Sequence, residues 1–244
     1  MKVTVVQQNI IQNDVKANLR QMERLVAAAE KSDIYLFPEM CSTGFTLTPA
    51  GLAEEANGLT SHRMLEWAKK YDAAFAGSVM TVDGDGRFYN RMYFACPDGR
   101  LYFYDKSNLF IYSGESKVFT PGGGAVVWEF RGARIRPAIC YDIRFPVFLY
   151  NRNDYDILLI SGAFPTSRML AWDTLVRARA IENLCYVVAS NRVGADDFGK
   201  YCGHSVIINP YGEKVGACRS GCQGTATVEL DWELMTNLRN RSLF

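Results

Sequence analysis

The sequence predicts an α/β protein built as a four-layer α-β-β-α sandwich, and three observations carry that expectation. Short apolar runs such as Ile34-Tyr35-Leu36-Phe37 and DILLIS (156–161) suit strands buried on both faces, helical patterns separate them, and hairpins marked by proline and glycine turns are mixed in. Two mixed sheets packed face to face with helices outside satisfy all three. At 244 residues, with 48% hydrophobic and 22% charged residues, a single domain spanning 1–244 accounts for the chain. Folding at this length buries roughly 70–75% of the unfolded surface, so a core alone suffices.

Residues 3–7 read as a strand and 14–30 as a helix, with Val15, Leu19, Met22, Val26 and Ala29 on one face and Asn13 or Asp14 as its cap. The run 34–37 stops at Pro38-Glu39, closing a β-α-β unit with a carboxylate at its end. A second helix at 61–71 leads into a strand at 73–82 and the turn Asp83-Gly84-Asp85-Gly86; strands at 88–96 and 101–104 flank Pro97-Asp98-Gly99. Strand patterns resume at 126–130, 135–139 and 156–161, followed by a helix at 167–183 and strands at 185–191, 205–209 and 225–230. FACPDGRLYFYDK and IINPYGEKVGACR share an apolar strand, a proline-glycine turn and a return strand, the echo expected of a pseudo-twofold arrangement. The loops 46–57 and 113–124, rich in glycine, proline and small residues, are expected at the mouth of a pocket.

Composition narrows the partners. With 27 basic and 26 acidic residues, a net charge of +1 and no long run of either sign, the chain is not expected to bind nucleic acid or an anionic membrane, which leaves a small molecule. MKVTVVQQN turns polar too early for a signal-peptide core, and no apolar run approaches a membrane span, so the expected location is the cytoplasm. Seven irregularly spaced cysteines read as reduced thiols. Cys218 and Cys222 lack a second pair, and His62 and His204 are the only histidines, so neither a metal nor another cofactor is expected.

The chemistry centres on RPAICYDIRFP (136–146). Free cysteine is among the most buried residue types, which favours packing for Cys140. Its place at a strand end before a charged, proline-stopped turn favours a nucleophile, whose thiol is expected to be lowered by backbone amides and nearby cations. The same turn aims the Tyr141 N–H at a developing oxyanion. Neither histidine has local support as a base, so that role passes to a carboxylate. Glu39, ending an apolar strand, is the candidate, with burial beside Phe37 and Met40 raising its pKa; a salt bridge is the plainer alternative. Lys106, in the aromatic stretch YFYDKSNLF, either pairs with Asp105 or faces a polar pocket, and Glu115 is a solvated loop charge or the group that positions it.

FPEM around Glu39, YDKSNLF around Lys106 and ICYDIRFP around Cys140, in that order, resemble the three signature segments of the nitrilase, or carbon–nitrogen hydrolase, superfamily. The Gly114-Glu115 loop, ARAIEN (178–183), NRVG (191–194) and INPYGE (208–213) extend the likeness over nearly the whole chain. The resemblance implies the nitrilase type of α-β-β-α sandwich, with Glu39 as base, Lys106 as oxyanion stabiliser, Cys140 as nucleophile and Glu115 in support. It also implies a homodimer formed through helices near the nucleophile.

ICYDIRFP, SGAFPTSRMLAWDTLVRARAIEN and NRVG are most similar to the bacterial omega-amidases, which implies hydrolysis of the terminal amide of 2-oxoglutaramate or 2-oxosuccinamate. The alternatives are another amidase or nitrilase of the superfamily, or a non-catalytic binding protein on the same fold. Arg144, Arg192 and Lys117 are the cations available for a substrate carboxylate, and Phe45, Tyr112, Phe164 and Trp172 the aromatics available as pocket walls. Ser107-Asn108 departs from relatives that carry histidine soon after the lysine, which puts substrate fit at that edge in question.

Overall fold

The computed structural model describes residues 1–241. The chain runs β1 (Lys2–Gln7), α1 (Val15–Ala28), β2 (Ile34–Leu36), β3 (Glu54–Glu55), α2 (Leu59–Tyr71), β4 (Ala74–Val82), β5 (Phe88–Ala95) and β6 (Leu101–Asp105). It continues through β7 (Trp128–Phe130), β8 (Ala133–Ile139), α3 (Pro146–Leu149), β9 (Ile157–Ser161), α4 (Met169–Asn183) and β10 (Tyr186–Ser190). Last come β11 (Val193–Asp196), β12 (Gly199–Cys202), β13 (Val206–Ile208), β14 (Lys214–Ala217), β15 (Gly224–Glu229) and α5 (Trp232–Arg241).

The first sheet has the order β15-β1-β2-β4-β5-β6, with β3 added to β4, and the second the order β14-β13-β10-β9-β8-β7. In each, three parallel strands (β1-β2-β4 and β8-β9-β10) lie between antiparallel neighbours. Reversing the second order aligns β7-β8-β9-β10-β13-β14 with the first, so the hairpins β5–β6 and β13–β14, the two segments that echo in sequence, occupy equivalent places.

Side-chain alternation sorts the apolar residues into three layers. Val3, Val5, Ile34 and Leu36 meet Ile135, Ile157, Leu159 and Val188 between the sheets. The opposite face of the first sheet, through Tyr35, Phe37 and Phe75, covers Leu19, Met22 and Val26 of α1 and Met64 and Trp67 of α2. The opposite face of the second, through Leu158, Ile160 and Val187, covers Trp172, Val176 and Ala180 of α4. This is the expected four-layer sandwich.

Asp14 caps α1 by accepting the Ala17 N–H at 2.9 Å. The helix expected at 167–183 starts as a 3₁₀ turn, Thr166–Arg168, before α4. Three features have no strong pattern in the sequence: β3, two residues long; the hairpin β11–β12, which stands apart from both sheets; and α5, which buries only Met235. The last is held by charge. Asp156 accepts from Arg134 Nε at 3.0 Å and from Arg239 Nη1 of α5 at 2.8 Å. Burial pushes Asp156 up, but the two arginines outweigh it and hold the carboxyl below its ordinary value. A depressed folded pKa contributes stability above the unfolded value, about pH 4, that is lost as pH falls through the lower folded value. Asp156→Ala is expected to cost about 2–3 kcal/mol in urea denaturation at pH 7, with the difference from wild type shrinking below pH 4; an equal difference at all pH values contradicts this account.

Candidate active site

Strand β2 ends opposite the end of β9 in the other sheet, β8 ends beside β9 with Ile139 paired to Ser161, and the polar groups lie beyond those ends. Phe37 still pairs through its N–H with the Ala76 carbonyl at 2.7 Å; Pro38, with no N–H, ends the ladder. The Glu39 N–H then crosses to the Gly162 carbonyl of the other sheet at 3.2 Å, and the Met40 N–H donates to Ser78 Oγ at 2.8 Å. Two more bonds stitch the sheets at the same level: Ser161 Oγ to the Phe37 carbonyl, 2.8 Å, and Ser190 Oγ to the Val6 carbonyl, 2.7 Å. Gly162 sits so close to Trp172 that a Cβ would come within 2.6 Å of its ring, so no side chain fits at this crossing.

Cys140 opens the 3₁₀ helix Cys140–Arg144 with φ 47°, and Met40 beside Glu39 has φ 46°. Left-handed backbone costs a residue with a Cβ roughly 1–2 kcal/mol, strain that the surrounding bonds must hold in place. Asp142 does so for the cysteine. Its Oδ2 accepts the Ile139 N–H and the Tyr104 hydroxyl, both at 2.8 Å, and its Oδ1 accepts the Asn108 N–H and side-chain amide, both at 2.9 Å. Asn108 therefore turns to the base of the cysteine turn, and neither it nor Ser107 lines the pocket. The departure at Ser107-Asn108 bears on the brace rather than on substrate fit.

Lys106 follows β6 and is held by its N–H to the Asn90 carbonyl at 2.9 Å. Its Nζ lies 2.8 Å from Glu39 Oε1 and 3.0 and 2.9 Å from the two oxygens of Glu115. The alternative pairing with Asp105 does not form: Arg91 takes that carboxylate at 2.7 and 2.8 Å. Glu115 also accepts the Phe110 N–H at 2.6 Å. All three charged groups are buried.

Burial pushes Glu39 above the ordinary carboxylate range, against the opposing pull of Lys106. Burial by itself would lower Lys106, yet Glu115 and Glu39 outweigh it and hold the ammonium well above its usual value. For Cys140 the sequence expectation is reversed. Desolvation and the Glu39 carboxylate raise the thiol well above 9, outweighing Lys106 and a hydrogen bond from the Ala163 backbone. The raised thiol keeps its proton at rest, and Glu39 is hydrogen-bonded to it.

Glu39, Lys106 and Cys140 line one pocket of about 230 Å³. Tyr141, Arg144 and Phe164 line it as expected, as do Phe45 and Tyr112. Tyr141 is the second residue of its helix, where the N–H has no intrahelical acceptor. Two expected cations are elsewhere. Arg192 is 0% exposed and spent on Asp196 at 2.7 Å and the Ile10 carbonyl at 2.9 Å; Lys117 is exposed away from the lining. Trp172 supports the wall from behind, its ring 5.1 Å from that of Phe164.

Sequence reasoning misses Arg168, whose guanidinium lies 4.5 Å from the Phe110 ring centre at the pocket rim. It also misses Phe198, at the tip of β11–β12, which packs edge-on against Phe45 at 4.8 Å. Neither belongs to a periodic pattern; SGAFPTSR and the short hairpin signal only a turn. Asn90 is missed as well, and lies within β5 beside both glutamates. His204 pairs with Asp173 at 3.0 Å and His62 is exposed on α2, both outside the pocket. Among the described residues no group of three or more His, Cys, Asp or Glu is placed to hold a metal, and no helix is long and apolar enough to cross a membrane.

Known proteins match this chain along its whole length. The omega-amidase YafV of Yersinia enterocolitica is 38% identical over 99% of this chain and 94% of its own, and the 2-oxoglutaramate amidase of Bacillus subtilis 30% identical over 91% and 87%. A CN-hydrolase superfamily protein from Xanthomonas campestris, with an arsenic adduct in its active site, superposes with a TM-score of 0.94 at 33% identity, covering 99% of this chain and 94% of that one. The carbon–nitrogen hydrolase model matches residues 2–240, and with it the chain belongs to the carbon–nitrogen hydrolase family, whose reaction it shares as a hydrolase of carbon–nitrogen bonds.

Proposed function

We propose that the protein is an omega-amidase that converts 2-oxoglutaramate or 2-oxosuccinamate and water to the 2-oxo dicarboxylic acid and ammonia. The observation that carries this is a cluster of buried Glu39 and Lys106 with half-buried Cys140 at one pocket whose rim holds two arginines, in a chain 36–38% identical to omega-amidases. Glu39 takes the Cys140 proton as sulfur attacks the amide carbon, and Lys106 Nζ with the Tyr141 N–H stabilises the oxyanion. Collapse breaks the C–N bond, Glu39 gives its proton to the leaving nitrogen, and a thioester remains. Water then attacks with Glu39 again as base, releasing the acid and restoring the thiol. Glu115 keeps Lys106 charged and in place.

Arg144, over Tyr141 at 5.9 Å, and Arg168, over Phe110 at 4.5 Å, are the groups for the substrate carboxylate; the Phe110 ring in turn packs tilted against Tyr141 at 5.0 Å. Exposed Val147 of α3 (90%) and Leu170 of α4 (83%) support a homodimer formed near the cysteine turn, and seven unpaired cysteines suit the cytoplasm.

The test is ammonia release from the two keto-acid amides, glutamine, asparagine and an aliphatic nitrile. Selective turnover of the keto-acid amides is expected, and the double variant Arg144→Gln/Arg168→Gln should raise their KM by about tenfold or more with little change in kcat, the loss of a charge-assisted contact. Preference for the nitrile or for glutamine sinks the substrate assignment; an unchanged KM sinks that of the arginines.

A further inference from the structure

Asn90 has no part in the steps above, yet it is 0% exposed on β5, against both glutamates. Its Nδ2 lies 2.8 Å from Glu39 Oε1 and 3.1 Å from Glu115 Oε1. Lys106 Nζ reaches the same Glu39 oxygen, at 2.8 Å. Both donors therefore converge on Oε1, and neither is bonded to Oε2. Charge fixes the orientation of the amide: turned over, its oxygen would face two carboxylates. In the orientation it holds, Asn90 Oδ1 is buried with no hydrogen-bond partner among the described residues. A half-satisfied buried amide is unfavourable for packing alone, and an apolar side chain would avoid that cost.

We infer that Asn90 is a positioning residue: with Lys106 it pins Oε1 of Glu39, and so assigns to Oε2 the Cys140 thiol proton and its later transfer to the leaving nitrogen. In the first transfer the S–H bond breaks and an Oε2–H bond forms. In the second, that proton passes to nitrogen as the C–N bond breaks. The inference rests on the roles proposed for Glu39 and Cys140.

The charged and titratable groups facing Glu39 are Lys106 after β6, Glu115 in the 3₁₀ turn Glu115–Lys117, and Cys140 from the other sheet. Asn90 adds a neutral donor that favours the carboxylate, so removing it raises the pKa of the base, and the acidic limb of kcat/KM moves to higher pH. Asn90→Ala removes the donor; Asn90→Asp keeps the volume and adds a third carboxylate, which moves the limb further in the same direction.

The experiment measures kcat/KM for 2-oxoglutaramate against pH, and on the same preparations the rate of Cys140 alkylation by iodoacetamide against pH, with thermal melting of each variant. For both variants kcat is expected to fall by about 10²-fold, the order seen when a reacting group is misplaced, with KM little changed and both acidic limbs shifted upward. A variant that melts like wild type and keeps both limbs where they are overturns the inference. If Cys140→Ala retains full turnover, the proposed roles fall and the inference with them; if Cys140 is required and the limbs stay put, the inference alone falls.

Discussion

Cys140→Ala is expected to lower kcat by about 10⁴-fold or more, because no other group can form the thioester. Cys185→Ala, in contrast, should leave turnover within about twofold. The two cysteines separate function from packing. Cys185 is buried in the layer between α4 and the second sheet, where its loss opens a small cavity costing about 1–2 kcal/mol. Cys140 lines the pocket beside Glu39 and Lys106. Burial pushes Cys96 up to about 11 and Cys218 up to about 12, as it raises Cys140, but neither lines the pocket with Glu39 and Lys106, so neither has a base to take its proton. Ammonia release from 2-oxoglutaramate, read beside melting curves, decides the matter. Equal losses of activity in the two variants would mean misfolding, and full activity in Cys140→Ala would remove the cysteine from the mechanism.

Glu39→Gln keeps the shape of the side chain and removes the base; its expected effect is a fall of about 10³-fold in kcat, within the range for general acid–base groups. Stability should move the other way. Burial raises the folded pKa of Glu39 above its unfolded value, so the folded protein gains stability from this group below about pH 4 and loses it as pH rises through the raised folded pKa. Above that raised pKa the wild type carries the full penalty. Glutamine does not ionise, and Glu115 remains as the partner of Lys106. The variant is thus expected to melt higher than wild type at pH 8 while turning over far less. A lower melting temperature at pH 8 would mean that the Lys106–Glu39 attraction outweighs desolvation, and that the ionised carboxylate stabilises the fold instead of weakening it.

How much of this is legible in the sequence follows from range. The buried parallel strands and α1, α2 and α4 declare themselves within windows of a few residues, since burial on one or both faces writes a local pattern. Glu39, Lys106 and Cys140 can be singled out because each ends a strand in a short, recognisable segment. What the sequence does not carry is direction and partnership. The polar and cationic neighbours of Cys140 in sequence predict a lowered thiol; in space burial raises it, and the Glu39 carboxylate adds to the rise. Arg192 looks available because NRVG is polar, and its pairing with Asp196 emerges only once β11 and β12 fold against each other. Asn90 sits in a strand with no periodic or motif signal of its own, and its meaning depends on two glutamates 51 and 25 residues away. Arg168 precedes α4 in a stretch that reads only as a helix start.

Glu39 and Lys106 hang from the first sheet and Cys140 from the second, so the proposed chemistry straddles a seam rather than sitting within either half. The apolar layer between the sheets, with Val3, Val5 and Ile34 on one side and Ile135, Ile157 and Leu159 on the other, thereby acts as a spacer that sets the gap between base and sulfur. A methylene added or removed there is a change in the calibre of the catalytic machinery, made without touching a polar atom. The two halves resemble each other in topology, but they are not free to drift apart: each is the gauge against which the other is machined.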